Sequence, residues 1–271
     1  MLNAGFGFIQ HSALSIQHSN SMPVYTTEAL ILRTYKLGEA DRIVVFLTRD
    51  RGKKRGVARG ARRARSRYVG ALEPMTRAGV AYYEREQREL VRLNYVEPVR
   101  SPLAAATAEA LGHVGYFAEL IDEWAPDAHA DERLFRLGSS IVDAVAAGAP
   151  VDPLARYFEY WLLKLQGVYP ALGCAGCGTA FSRGDGAVMP PRDHLFLCRT
   201  CASPGGGTRL SSGAIEFLLV AGRIGPGDLG AVSFSPVASR ELETAHRRLI
   251  NLHLEKELKS ARVLREMRHA R

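Results

Sequence analysis

All four cysteines of this 271-residue chain fall in one constellation: Cys174-Ala-Gly-Cys177, then Cys198-Arg-Thr-Cys201. A thiolate is a soft metal ligand, and each C-x-x-C turn aims two of them at one point. Two such turns make a tetrahedral four-sulfur cage. Gly173, Gly176 and Gly178 permit the tight backbone that the first turn needs. Four thiolates leave no coordination position open, so the expected ion is one structural Zn2+, contributing on the order of 10 kcal/mol to folding of the insert. Two disulfides or four free thiols are the competing readings. No cysteine lies outside the pattern, and in a chain expected in the cytoplasm this favours zinc. His194, near the second pair, reads as a solvated loop histidine rather than a substitute ligand.

The second chemistry is electrostatic. Between Arg49 and Arg67 stand ten Lys or Arg and a single acid, Asp50. A second basic cluster occupies residues 247–271. Together the two clusters hold more positive charge than the chain's formal net of +8, so the remainder is acidic. Concentrated basic patches on an acidic body suit local contact with a polyanion, with nucleic acid ahead of an anionic membrane or an acidic protein. Lys53, Lys54, Arg55, Arg59, Arg62, Arg63, Arg65 and Arg67 are the candidates to hold phosphates without reading bases. On a strand, Lys53, Arg55, Val57 and Arg59 share one face, and Lys54, Gly56, Ala58 and Gly60 the other. Ala61, Ala64 and Ser66 leave the loop arginines room, and a guanidinium fork matches phosphate oxygens bidentately. Lys259 and Arg262 form a second, weaker candidate surface. Tyr68 is the nearest aromatic that could stack on a base, with packing as its alternative role.

Other chemistries find little support. GPGDLG at 225–230 matches a dinucleotide-binding fingerprint, yet no strand precedes it and no amphipathic helix opens from it. GGG at 205–207 reads as a flexible exit from the cysteine insert. The chain shows no H-x-E before the second cysteine pair, no Ser–His–Asp order, no paired carboxylates and no G-K-[ST] loop. The expectation is a binding protein, not an enzyme. No apolar run reaches the roughly 18 residues of a membrane span, and the expected address is the cytoplasm. Residues 1–22 are expected to form a disordered extension, or an upstream start that the cell does not use.

These groups must be positioned by two kinds of architecture. Residues 23–97 contain five β-branched or aromatic-rich runs separated by turn signals, which predict an OB-type antiparallel β-barrel. Residues 98–271 read as an α-helical domain carrying the zinc insert at about 172–210, so the fold class is α+β multidomain. Ser101 and Pro102 predict the start of a first helix. A second is expected over 130–147 and a third from Asp152. A final helix is expected from Pro236 to about residue 268, with Leu242, Leu249, Leu252 and Leu258 along it.

Three stretches resemble the RecO family of bacterial DNA recombination and repair proteins. TTEALILRTYKLGEADRIVVFLTRDRGKKRGVARGARRARSRYVGALEPM is similar to its N-terminal OB domain. YPALGCAGCG with LFLCRTC resembles its zinc-binding insert. RRLINLHLEKELKSARVLREM, with the L-K-S-x-R pattern at Leu258, Lys259, Ser260 and Arg262, is similar to its closing helix. The likeness covers about residues 24–268. The chain departs from the family where RDHLFLC replaces a Gly-rich approach to the second cysteine pair. The resemblance implies a recombination mediator that binds single- and double-stranded DNA, anneals complementary strands and contacts the C-terminal tail of the single-strand-binding protein. With RecR, it would help load the RecA recombinase onto coated strands, in the cytoplasm at the nucleoid. A pocket for that tail should combine an apolar slot with a basic rim, and the helical segment displays no obvious one. A zinc-ribbon/OB RNA- or transcription-associated protein and a metal-dependent enzyme are the alternative classes.

Overall fold

The computed structural model describes residues 23–85, 88–105 and 107–269; the expected N-terminal extension lies outside the described residues. Residues 29–32 and 44–47 are apolar at every position, and all eight are buried. They sit in β1 (Val24–Leu37) and β2 (Asp41–Thr48). Ala29, Ile31, Val44 and Phe46 point into a barrel, whereas Leu30, Leu32, Val45 and Leu47 join a second core shared with the helices. With β3 (Gly52–Ala58), β4 (Arg77–Tyr83) and β5 (Leu90–Arg100) the barrel closes in the order β1-β2-β3-β5-β4. The expected OB-type barrel is therefore present. Its one departure from an antiparallel ladder is the parallel β3–β5 pair, which sets Val57 opposite Arg92. Closure depends on β1, which pairs with β4 through its first half and with β2 through its second. Its register shifts between Ile31 and Arg33, where the strand bends.

The helical part comprises α1 (Ala108–Trp124), α2 (Glu132–Ala146), α3 (Val151–Leu165), α4 (Ser212–Ala221), α5 (Pro236–Leu254) and α6 (Lys259–His269). A two-stranded ladder, β6 (Ala187–Met189) with β7 (Thr208–Leu210), lies in the cysteine insert. Ser101 and Pro102 open only a 3-10 turn. The first helix starts later, where the Thr107 hydroxyl oxygen accepts the Ala110 N–H. The expected final helix is two helices. Glu255 adopts a left-handed conformation (φ 54), and Glu119 of α1 accepts N–H bonds from Lys259 and Ser260 at 3.2 and 2.8 Å. That carboxylate caps the new start, and Leu252 faces solvent instead of the core. GPGDLG forms a 3-10 turn between α4 and α5, and α4, capped by Ser211, had no sequence expectation.

Barrel and helices meet through backbone as well as side chains. Lys53 N–H donates to Pro126 O at 3.0 Å, and Ala128 N–H donates to Lys53 O at 3.3 Å, so the chain after α1 extends the β3 edge. Gly52 sits at φ +68, and a Cβ there would lie 2.3 Å from His129 O. A Cβ on Gly138 of α2 would meet Leu30 Cδ1 at 2.6 Å. Around this contact Arg33 pairs with Asp122, Arg49 with Glu132 at 3.2 Å and Arg77 with Asp143 at 3.0 Å.

Within the helices a buried polar network ties α1, α3 and α5. Tyr116 donates to Glu159 Oε1 at 2.7 Å, Arg156 pairs with the same oxygen at 3.1 Å, and His246 Nδ1 lies 2.9 Å from Glu159 Oε2. Tyr169 Oη is 2.9 Å from His246 Nε2. A neutral imidazole satisfies both contacts, with Nδ1–H donating to Glu159 and Nε2 accepting from the Tyr169 hydroxyl. Burial is the main force pushing the His246 pKa down. His113 is pushed down as well, again mainly by burial, and the Arg156 charge acts in the same direction on both rings.

Two outcomes follow. Gly52→Ala forces a left-handed alanine against the His129 backbone and should cost about 2 to 4 kcal/mol, read as a lower urea midpoint. Because His246 and His113 titrate below their ordinary value of 6.5 when folded, the unfolded chain takes up protons first as pH falls. Their contribution is complete above pH 6.5 and is lost as pH drops toward the lowered folded values. Urea midpoints should therefore fall between pH 7.5 and 5.5, and less so in His246→Gln.

Candidate nucleic-acid interface and metal centre

The two C-x-x-C turns meet because the strand leading to the second is tied to β6. Val188 and Leu197 exchange backbone bonds at 2.8 and 2.9 Å, and Ala175 N–H reaches back to Phe196 O at 2.9 Å. The first turn closes through Gly178 N–H to Cys174 O and Cys174 N–H to Thr179 O, both at 2.8 Å. Phe196 packs against Phe181 and Tyr169, fastening the insert to the helical core. The sulfurs of Cys174, Cys177, Cys198 and Cys201 all lie within 4.8 Å of one another, and none is in a disulfide. A tetrahedral four-sulfur zinc site has sulfurs about 3.8 Å apart, so the donor set fits a thiophilic ion. Backbone N–H groups of Cys198 and Cys177 aimed at Cys174 lower its pKa to about 6. Cys201 is pushed up to about 12, its proton held by the sulfurs of Cys198, Cys174 and Cys177. Four thiolates at this spacing need a cation to coexist. His194 is exposed and stands outside the cluster, as expected.

The basic segment runs from β3 into a loop pinned at both ends. Gly60 N–H donates to Asp41 Oδ1 at 2.8 Å, Arg62 N–H to Ala40 O at 2.9 Å and Arg62 Nη1 to Gly38 O at 2.8 Å. At the far end Tyr68 is buried, and its hydroxyl donates to Leu93 O at 3.2 Å. Packing, not stacking, is therefore its role. Arg55, Arg59, Arg63 and Arg65 are exposed and make no ion pair among the described residues. Arg62 and Arg67 are exposed as well, each with one bond within the chain, Arg62 to Gly38 O of the β1–β2 turn and Arg67 to Tyr68 Oη at 3.1 Å.

Two of the expected phosphate ligands are turned to partners within the chain. Lys53 Nζ donates to Asp122 O at 2.6 Å and lies 3.5 Å from Asp122 Oδ1, which makes it part of the joint with α1. Lys54 belongs to the inward-facing row at the barrel's end. Its side chain is only 12% exposed, and its ammonium takes Glu84 at 2.5 Å, since a buried charge left unpaired is costly. Lys259 and Arg262 are exposed on α6, which is held against α1 and not in the barrel loop.

Two concavities were not legible in the sequence, because their walls come from segments distant along the chain. One, of about 160 Å³, gathers Arg59, Arg85, Arg88 and Arg92 around Tyr83 and Leu90. The other, of about 520 Å³, lies between the cysteine insert and α4. Phe181, Leu219, Val220 and Ile224 line it, with Arg183 and Arg223 beside them. Arg183 also pairs with Glu216 at 3.3 Å. Among the described residues no helix is long and apolar enough to cross a membrane.

The four-sulfur site should bind one divalent ion per chain. Metal analysis should find it lost in Cys174→Ser, with stability lower by several kcal/mol, and affinity should rise with pH because binding displaces thiol protons.

Comparison with known proteins agrees with this anatomy. The family model described as "Recombination protein O N terminal" matches residues 22–102, and "Recombination protein O C terminal" matches residues 105–262. A protein named "DNA repair protein RecO" from Geobacter metallireducens is 35% identical over 246 residues, covering 89% of this chain and 97% of that one. Its namesake from Koribacter versatilis is 40% identical over 177 residues, 64% of this chain and 70% of its own length. Another from Anaeromyxobacter sp. is 36% identical over 248 residues, 88% and 94% of the two chains. Two family models that between them span the barrel and the helices, and relatives matched almost end to end, place the chain in the RecO family of DNA repair proteins.

Proposed function

We propose that this chain is a non-enzymatic recombination mediator that grips single- and double-stranded DNA by the phosphate backbone and anneals complementary strands. With RecR, it helps load RecA onto strands coated with single-strand-binding protein. The observation that carries the reading is the pinned, exposed arginine loop beside the OB-type barrel. Arg55, Arg59, Arg62, Arg63, Arg65 and Arg67 present guanidinium groups, and the one aromatic of their loop, Tyr68, is buried. Two strands repel through their backbones, so a protein that neutralises both lowers the barrier to pairing without bond chemistry. Lys259 and Arg262 supply the second surface. Zinc is the structural ion, since four thiolates suit it and leave no position for substrate. The apolar slot flanked by Arg183 and Arg223 has the chemistry required for the acidic tail of the single-strand-binding protein. The setting is the cytoplasm, at the nucleoid.

Six phosphate contacts imply that duplex affinity falls about a thousandfold between 50 and 200 mM salt, and only about tenfold after Arg62, Arg63, Arg65 and Arg67 become Ala. The decisive assay is annealing of complementary oligonucleotides coated with single-strand-binding protein. The wild type should accelerate it and the fourfold Ala variant should not. Arg223→Glu should impair annealing of coated strands while leaving naked strands unaffected. No acceleration by the wild type despite tight, salt-sensitive binding would reduce the chain to a nucleic-acid-binding module.

A further inference from the structure

The two cysteine turns are built alike, and neither presents its sulfurs evenly. In each turn the first cysteine faces inward: Cys174 is 2% exposed and belongs to the helical core, and Cys198 packs half-buried against that core. In each turn the second cysteine, Cys177 or Cys201, is exposed. An opening of about 550 Å³ lies over this outer half of the cluster. Among the described residues its sulfur-bearing walls are Cys177, Cys198 and Cys201, not Cys174. The backbone of the first turn lies directly against the second, since a Cβ on Gly176 would stand 3.1 Å from Cys201 Cβ.

Thiolate sulfur is both the metal ligand and the nucleophile, and its oxidation follows exposure. Hydrogen peroxide is small and neutral, so the opening admits it whatever the surrounding charge. We propose that Cys177 and Cys201 are a peroxide-sensitive pair, whose disulfide across the two turns removes two of the four metal ligands while Cys174 and Cys198 stay reduced. One outer sulfur attacks a peroxide oxygen: an S–O bond forms, the O–O bond breaks and hydroxide departs. The other outer sulfur attacks the resulting sulfenic sulfur, so that S–S forms, S–O breaks and a second hydroxide departs. Two thiolates have given up two electrons, the peroxide has taken them, and two protons complete two waters. The sulfurs start within 4.8 Å of each other and close to about 2.05 Å. Two remaining thiolates do not complete a tetrahedral cage. Phe181, which follows the first turn, walls both the opening and the apolar slot beside α4, so a shift of that turn reaches the slot. This last consequence rests on the reading of the slot as the site for an acidic tail; the cysteine chemistry does not.

Treatment of the zinc-loaded full chain with hydrogen peroxide tests the pair. A chromogenic chelator should register zinc release as two of the four thiols disappear, before methionine sulfoxide accumulates. Peptide mapping after alkylation should find Cys177 joined to Cys201, with Cys174 and Cys198 alkylated, and dithiothreitol should return all four thiols. Disulfides within the turns, modification of Cys174 ahead of Cys177 and Cys201, or thiols that outlast the methionines overturn the proposal. If the purified chain takes up no zinc, the metal reading has failed, and the same mapping on the metal-free chain decides the pairing alone. The oxidised chain should lose its acceleration of coated-strand annealing and keep its naked-duplex affinity within about twofold, as for distant independent sites. Acceleration that survives the Cys177–Cys201 bond overturns the link to the slot, and loss of naked-duplex binding overturns its local character. If the untreated chain accelerates nothing, the slot reading has failed, and the mapping still decides the pair.

Discussion

The double-sided burial of β1 and β2 is the constraint on which the remaining structure depends. A half-buried strand alternates apolar and polar residues, because only one face meets a core. Here Leu30, Leu32, Val45 and Leu47 belong to the helical core, while Ala29, Ile31, Val44 and Phe46 fill the barrel. The two cores therefore share a wall. The Gly52 backbone against His129, and the loop after α1 added to the β3 edge, fix the rotation of one part on the other.

That joint also sorts the charge. Arg33, Arg49, Lys53 and Arg77 of the barrel meet Asp122, Glu132 and Asp143 of α1 and α2 or their flanks. Part of the helical domain's acidic charge is thus set against the barrel's own bases on one side. Among the described residues, Arg55, Arg59, Arg63 and Arg65, along β3 and its loop, are exposed bases without such partners. Surface ion pairs contribute little stability each, so the sorting matters more for where uncompensated positive charge emerges than for how tightly the parts hold.

Sequence periodicity was enough for the barrel, and cysteine spacing was enough for the four-sulfur cluster, because each is encoded in a local pattern. The runs ALIL and VVFL also held the joint in plain view, since continuous apolar strands imply a second covering layer. A charge run marks Lys53 and Lys54 as candidate ligand contacts without revealing where Asp122 and Glu84 stand. The break at Glu255 was hidden for a related reason. Nothing at 255–258 is a helix breaker, and the new start is set by Glu119, far away in sequence. The arginine cavity was equally illegible, since Arg59 and Arg92 become neighbours only through the parallel β3–β5 pair.

A loop of arginines could have been a mobile tether, and its pinning argues for a different use. Arg62 spends a side-chain bond on Gly38 O, and the buried Tyr68 anchors the loop's end to β5. Much of the conformational entropy that a disordered basic tail would lose on meeting a polyanion is already lost on folding. The guanidinium groups are presented on a fixed surface, yet each remains solvated and screened by salt. Such a surface favours contacts that form quickly, ignore base identity and release readily, which is what a protein must do if it brings two strands together and then leaves the duplex. Tight base-stacking sites would hold the strands apart from each other. Burying Tyr68 removes the one aromatic that could have provided such a site within the loop.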